Sequence, residues 1–147
     1  MSATARLAEL GIPLPPVATP AGSYVPAVRT GNLVYTAGQV PKDAAKGKVG
    51  AEVSAEDANA AARVCALQAL AAVDALVGLD SVVRIVKVVG FVASAPGFTG
   101  QPRVINGASD LLGEVFGEAG AHARSAVGVA ELPDGVPVEV ELIVEVR

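Results

Sequence analysis

The run Val82-Val-Arg-Ile-Val-Lys-Val-Val-Gly-Phe-Val-Ala93 decides how the rest of the chain is read. It is rich in β-branched residues, its charges are confined to Arg84 and Lys87, and it reads as one long strand. Val82, Val86, Val88 and Val92 fall on one side, and Val83, Ile85, Val89 and Phe91 on the other, so both faces are apolar. Such a strand belongs in a sheet that is covered on both sides.

Upstream, Ser54-Ala-Glu-Asp57 is a capping box, with a hydroxyl to accept from the N3 amide and two acids at the positive end of the helix dipole. Val64, Leu67, Leu70, Val73, Leu76 and Val77 then recur at three- and four-residue spacing as a buried stripe, with Cys65 as a buried structural thiol and Gly78 as the terminator. Downstream, a second helix is expected over about Val104 to Phe116, with Leu111, Leu112, Val115 and Phe116 inward and Gly117 and Gly120 at its end. Ala123–Leu132 and Val136–Val146 flank Pro133-Asp134-Gly135, which predicts an antiparallel hairpin. Its last strand alternates Val138, Val140, Leu142, Val144 and Val146 against Glu139, Glu141, Ile143 and Glu145. Near the N-terminus, Tyr24–Arg29 and Asn32–Gly38 read as short strands around Gly31. Gly11–Gly22 holds four prolines and reads as extended, so residues 1–22 form a Pro-rich arm ahead of a domain at 23–147. The order ββαβαββ predicts an α+β fold, a mixed sheet with two helices on one face. A further subunit is expected on the other face.

The composition narrows the chemistry. At 147 residues there is room for one domain, and with 52% hydrophobic but only 3% aromatic residues its core is aliphatic. A single His (His122) and a single Cys (Cys65) cannot supply a zinc ligand set or an intrachain disulfide, which suits a reducing cytosol. The net charge of −4, with Lys and Arg scattered, speaks against a nucleic-acid partner. No stretch reaches the roughly 20 uninterrupted apolar residues of a membrane span, and Met1–Leu10 lacks the apolar run of a signal peptide. The expectation is a cytoplasmic chain without metal or membrane partner.

Few constellations remain. His122 and Ser125 sit at an odd offset in a strand, hence on opposite faces, and His122 reads as an exposed residue at a strand entrance. Ala45-Lys-Gly-Lys-Val49 lacks the residues of a phosphate loop and reads as solvated. Arg124 heads a face of small residues, Ala126, Gly128 and Ala130. That strip either leaves room for a small anion gripped by the guanidinium or admits a neighbouring backbone, with Arg124 a salt-bridge partner. With Asp134 and Gly135 as the central turn residues, Arg124 shares a sheet face with Glu139, Glu141 and Glu145. Glu139 then opposes Ala130, six residues from Arg124, or about 20 Å away. The two meet only across subunits or around a longer turn.

Ala123-Arg-Ser-Ala-Val-Gly-Val-Ala-Glu-Leu-Pro-Asp-Gly-Val-Pro-Val-Glu-Val-Glu141 resembles the C-terminal signature of the RidA/YjgF family of small imine deaminases. Tyr24-Val-Pro with Gly31-Asn-Leu-Val-Tyr-Thr-Ala-Gly-Gln-Val-Pro41 is similar to its N-terminal signature. The resemblance implies a chorismate-mutase-like fold, a homotrimer with clefts between subunits, and hydrolysis of 2-enamino and 2-imino acids to 2-keto acids and ammonia without a cofactor. By motif, Arg124 matches the arginine that holds the substrate carboxylate, and Glu139 the glutamate that positions or activates water. Tyr24 and Gly38 match residues lining the cleft. Ala126 stands where many members have Cys, Ala37 where the family has Ser, and the cleft asparagine corresponds to Asn106 or, in another alignment, to Ser109. A non-catalytic trimeric binder of the same fold is the alternative. A ribonuclease or translation inhibitor fits poorly with an acidic chain.

Overall fold

In the computed structural model, which describes residues Met1–Arg147, the Val82–Ala93 run is one strand over its whole length. Register shifts against its neighbour between Val82 and Arg84, and between Ile85 and Lys87, alter the simple alternation. Its buried face is therefore Ile85, Val88, Gly90 and Val92, and Val86 does not join it.

Around this strand the elements follow as α1 (Ala3–Leu10), β1 (Ala27–Thr30), β2 (Leu33–Thr36), α2 (Ala55–Val77), β3 (Val82–Ala93), α3 (Gln101–Phe116), β4 (Ala123–Val129) and β5 (Val138–Val146). The five strands make one mixed sheet in the order β1-β2-β5-β3-β4, in which only the β3–β4 pair is parallel. The α+β class and the ββαβαββ succession are present, preceded by a helix.

The expected hairpin between the last two strands does not form. β4 and β5 both pair with β3, which lies between them. The turn itself is there: Asp134 and Gly135 have φ of 56° and 71°, and the Val136 amide donates to the Pro133 carbonyl at 3.2 Å. A turn signal fixes a chain reversal but not the partner of the returning strand. The connection crosses two strand spacings, about 10 Å, over the end of β3. β3, apolar on both faces, takes the buried place beside β5.

α2 begins where the capping box places it, with Ser54 Oγ accepting from the Asp57 amide at 3.1 Å, and ends at Gly78. Its buried face differs from the expected stripe. Ala58, Ala61, Ala62, Cys65, Ala66, Ala69, Leu70 and Val73 enter the core, Leu67 and Val77 pack against it, Val64 is half-buried, and Leu76 is 45% exposed. The helices approach too closely for larger residues: a Cβ at Gly107 of α3 would collide with the Asn59 carbonyl of α2. α2 is long and apolar enough to cross a bilayer, but here it fills the core beneath β5. α3 seats on β3 through Ile105, which occupies the space a side chain at Gly90 would need.

Val138, Val140, Leu142, Val144 and Val146 of β5 are all buried under the helices, as the alternation predicts. The opposite face carries no helix. Exposed Val28, Tyr35 and Val127 lie there beside half-buried Val89, Phe91 and Ile143.

The N-terminal segment is partly helical, which the proline-rich reading does not anticipate. Ser2 caps α1 by accepting from the Ala5 amide, and Gly11, at φ 70°, closes it. Eight residues are too few to hold a helix alone, so docking holds it: Leu7 is buried, Arg6 Nε donates to the Glu114 carbonyl, and the Thr4 amide donates to Asp80 Oδ1. Gly11–Gly22 contains neither helix nor strand.

Candidate functional site

Arg124 lies on edge strand β4, paired with Val88, and faces the helix side of the sheet. Its Nη1 donates to Asn106 Oδ1 at 2.8 Å and to Ser109 Oγ at 3.2 Å, so both candidates for the cleft position on α3 reach the same nitrogen. Asn106 and Ser109, three apart, are neighbours on one helix face. Nε and Nη2 of Arg124 make no hydrogen bond within the chain, and no carboxylate lies within ion-pair distance. Ala126, next on the same face, is half-buried against the core. Further along the strip, Gln101 Nε2 and Ser94 Oγ abut Gly128, each 2.9 Å from where its Cβ would be.

Glu139 occupies the opposite face. It pairs with Phe91 on β3, whereas Arg124 aligns with Val88, three residues away and on the helix side. The shared face expected from a hairpin register is thereby corrected: with β3 between the two strands, that register does not exist. One chain does not bring Arg124 and Glu139 together.

The surroundings of Glu139 follow from an irregularity in the sheet. β2 pairs with β5 as far as Tyr35 and Ile143, and pairing resumes one residue out of step at Gln39 and Val140. Between them Thr36 Oγ1 accepts the Leu142 amide at 3.0 Å, replacing a ladder bond. The bulge sets Gly38 directly against the carboxylate, where any Cβ would run into it. Glu139, Gly38, Ala37, Tyr35 and Tyr24 line an open cavity of about 800 Å³. Tyr24 is 49% exposed, and its hydroxyl accepts the Ala21 amide. Partial burial, and then the nearby Glu141 carboxylate, push the Glu139 carboxyl above its ordinary range.

Beneath Glu139, Cys65 is completely buried, and burial together with the Glu139 charge raises its thiol far above the usual value, so it is no nucleophile. No three His, Cys, Asp or Glu side chains come together.

The polar group around Arg124 also holds a residue that the sequence reading leaves at a strand entrance. His122 is half-buried, with Nε2 at 2.9 Å from Ser109 Oγ and Nδ1 at 2.7 Å from the Gly120 carbonyl oxygen. Its serine partner is on α3, not at Ser125, and no sequence spacing connects residue 109 to 122.

A family model described as endoribonuclease L-PSP matches residues 16–146. The chain is 49% identical to protein TCP17 of Trypanosoma cruzi, over 97% of this chain and 93% of that protein. It is 36% identical to the 2-iminobutanoate/2-iminopropanoate deaminase of Escherichia coli, over 83% of this chain and 86% of the deaminase. A crystal structure of a protein of unknown function from Agrobacterium tumefaciens, 46% identical, superposes with a TM-score of 0.90 over 99% of this chain and 92% of that one. The likeness extends through both signature segments and the sheet that carries them, and the chain belongs to the RidA/YjgF family.

Proposed function

We propose that this protein hydrolyses 2-imino acids, and the enamines that tautomerise to them, to 2-keto acids and ammonia, at sites built between subunits of a homotrimer. The observation that carries the reading is Arg124: a guanidinium fixed through Nη1 alone, with its Nε and Nη2 donors unpaired. That edge matches a carboxylate in bidentate geometry. The helix-free sheet face, with its exposed Val28, Tyr35 and Val127, supports a neighbouring subunit there. Separation of Arg124 and Glu139 onto opposite faces supports a site to which two chains contribute.

In this reaction Arg124 holds the substrate carboxylate. Glu139 of the adjoining subunit takes a proton from a water molecule as its oxygen adds to the electrophilic C2 of the imine. The raised affinity of Glu139 for a proton makes it a stronger base than an exposed carboxylate. The Glu139 carboxyl returns that proton to the nitrogen, giving the carbinolamine, and as the C–N bond breaks the hydroxyl hydrogen passes to the leaving nitrogen, so that ammonia departs, the oxygen becomes the keto group and the carboxylate is regenerated. The substrate supplies the reactivity, so positioning and one base suffice. Tyr24 and Gly38 shape the wall of the cleft, and Asn106, Ser109 and Ala126 its carboxylate end.

A second reading is a trimeric binder of small carboxylates with little turnover; the relative at 49% identity has a name that specifies no activity. Keto-acid release is measured with a dehydratase supplying 2-aminoacrylate. Acceleration by wild type that is lost in Arg124→Ala favours the enzyme, and stabilisation by keto acids without acceleration favours the binder. Placement between subunits is tested by coassembling inactive Arg124→Ala and Glu139→Gln chains in equal amounts. Random closed trimers then recover intact sites at about a quarter of the wild-type number. No recovery refutes the shared site.

A further inference from the structure

We infer that His122 is a positioning residue for Arg124, acting through the hydroxyl of Ser109. This inference rests on the carboxylate-binding role proposed for Arg124. It begins at Gly120, which is buried at the end of the short 3-10 turn after α3. A Cβ there would collide with the backbone of Leu112 and Gly113, so Gly120 lies directly against α3 and its carbonyl is a fixed anchor. That carbonyl only accepts, so the His122 Nδ1 at 2.7 Å carries the ring hydrogen. In the neutral imidazole Nε2 is then an acceptor, and its partner at 2.9 Å is Ser109 Oγ.

The consequence falls on the serine. With its hydrogen committed to His122, Ser109 Oγ presents only lone pairs to Arg124 Nη1, 3.2 Å away. The second hydrogen of Nη1 goes to Asn106 Oδ1 at 2.8 Å. Both Nη1 hydrogens are thus used, which sets the plane of the guanidinium and leaves the Nε–Nη2 edge for the ligand. Without His122 the Ser109 hydroxyl rotates freely and can turn its hydrogen toward the cation. The ring belongs to the machinery without touching substrate.

One experiment is independent of any ligand. The chain has a single histidine, so protein labelled with ¹⁵N-histidine gives one imidazole pair in long-range ¹H–¹⁵N spectra. Under alkaline conditions the Nδ1–H tautomer is expected, opposite to the preference of free histidine, and Ser109→Ala shifts the Nε2 resonance. An Nε2–H ring overturns the relay. A second experiment measures pyruvate binding by calorimetry. His122→Phe keeps ring bulk, removes both hydrogen bonds and is expected to weaken pyruvate about tenfold. His122→Gln, which restores an acceptor, recovers most of that loss. In turnover the same change appears in KM, with kcat within about twofold. His122→Phe that folds and binds pyruvate as wild type does refutes the inference. Absence of pyruvate binding by wild type, or unchanged binding in Arg124→Ala, instead removes the carboxylate role and the relay with it, while the tautomer result stands on its own.

Discussion

The two halves of the candidate site are built on opposite electrostatic terms. Around Arg124 the contacts are specific: Asn106, Ser109, His122 and the Gly120 carbonyl form a chain of hydrogen bonds that ends on Nη1 and leaves Nε and Nη2 unpaired. Around Glu139 there is no cationic partner; the carboxylate sits half-buried in a bulge, against Gly38 and near Glu141. On the reading proposed above, the first half holds a negative charge still. The second keeps a carboxylate under tension, where a proton is welcome.

The sharpest way to break this contrast is to exchange what each half contributes. Glu139→Gln is expected to lower kcat about a thousandfold while leaving pyruvate affinity within about twofold. Because folding raises the Glu139 carboxyl, the ionised form is the less stable one in the fold. Its favourable contribution is present at low pH and fades as pH rises through the raised value. Glu139→Gln therefore melts at or above the wild-type temperature at neutral pH, as calorimetry would register. Arg124→Lys gives the opposite pattern, with KM rising about tenfold or more because an ammonium cannot replace the planar fork. Kinetics in which both variants lose only kcat would erase the distinction between the halves.

Smaller perturbations sharpen it. Gly38→Ala places a methyl group where the Glu139 carboxylate lies, and is expected to cost about tenfold in kcat without weakening pyruvate. Glu141→Gln removes the like charge that helps raise Glu139, so the acidic limb of the pH–rate profile moves to lower pH. An unmoved limb would assign the shift to burial alone. Least affected is the distant N-terminus. Accepting the Thr4 amide is what lowers the Asp80 carboxyl, so its anchorage of α1 is present at neutral pH and lost as pH falls through that lowered value. Asp80→Ala, which removes the acceptor, should speed hydrogen exchange in α1 with little change in turnover.

Much of the scaffold was legible because its signals are local. Ser54 and Gly78 bracket α2, the β5 alternation separates Val138–Val146 from the glutamates, and β3 occupies the run from Val82 to Ala93. What could not be read was pairing across space. Asp134-Gly135 forms its turn, yet nothing local says that β3 comes between the strands on either side, and that one fact moves Arg124 and Glu139 to opposite faces. The α2 stripe was legible in part: Leu70 and Val73 are inside as expected and Leu67 and Val77 pack against the core, but Leu76 is exposed, and the alanines that fill the rest of the face, beside the close crossing of Gly107 and Asn59, leave no bulky pattern to read. In the site, the motifs named Arg124, Glu139 and Gly38, whereas the pairing of Ser109 with His122 depends on how α3 lies against β4.

Cys65 has a bearing on the chemistry above it. The imine tautomer of the proposed substrate is electrophilic at C2, and the side chain most ready to add there is a thiolate. The one thiol of this chain lies sealed beneath the sheet, with burial and the charge of Glu139 both opposing its ionisation. The carboxylate that would drive turnover thus also helps keep the protein from being inactivated by its own substrate.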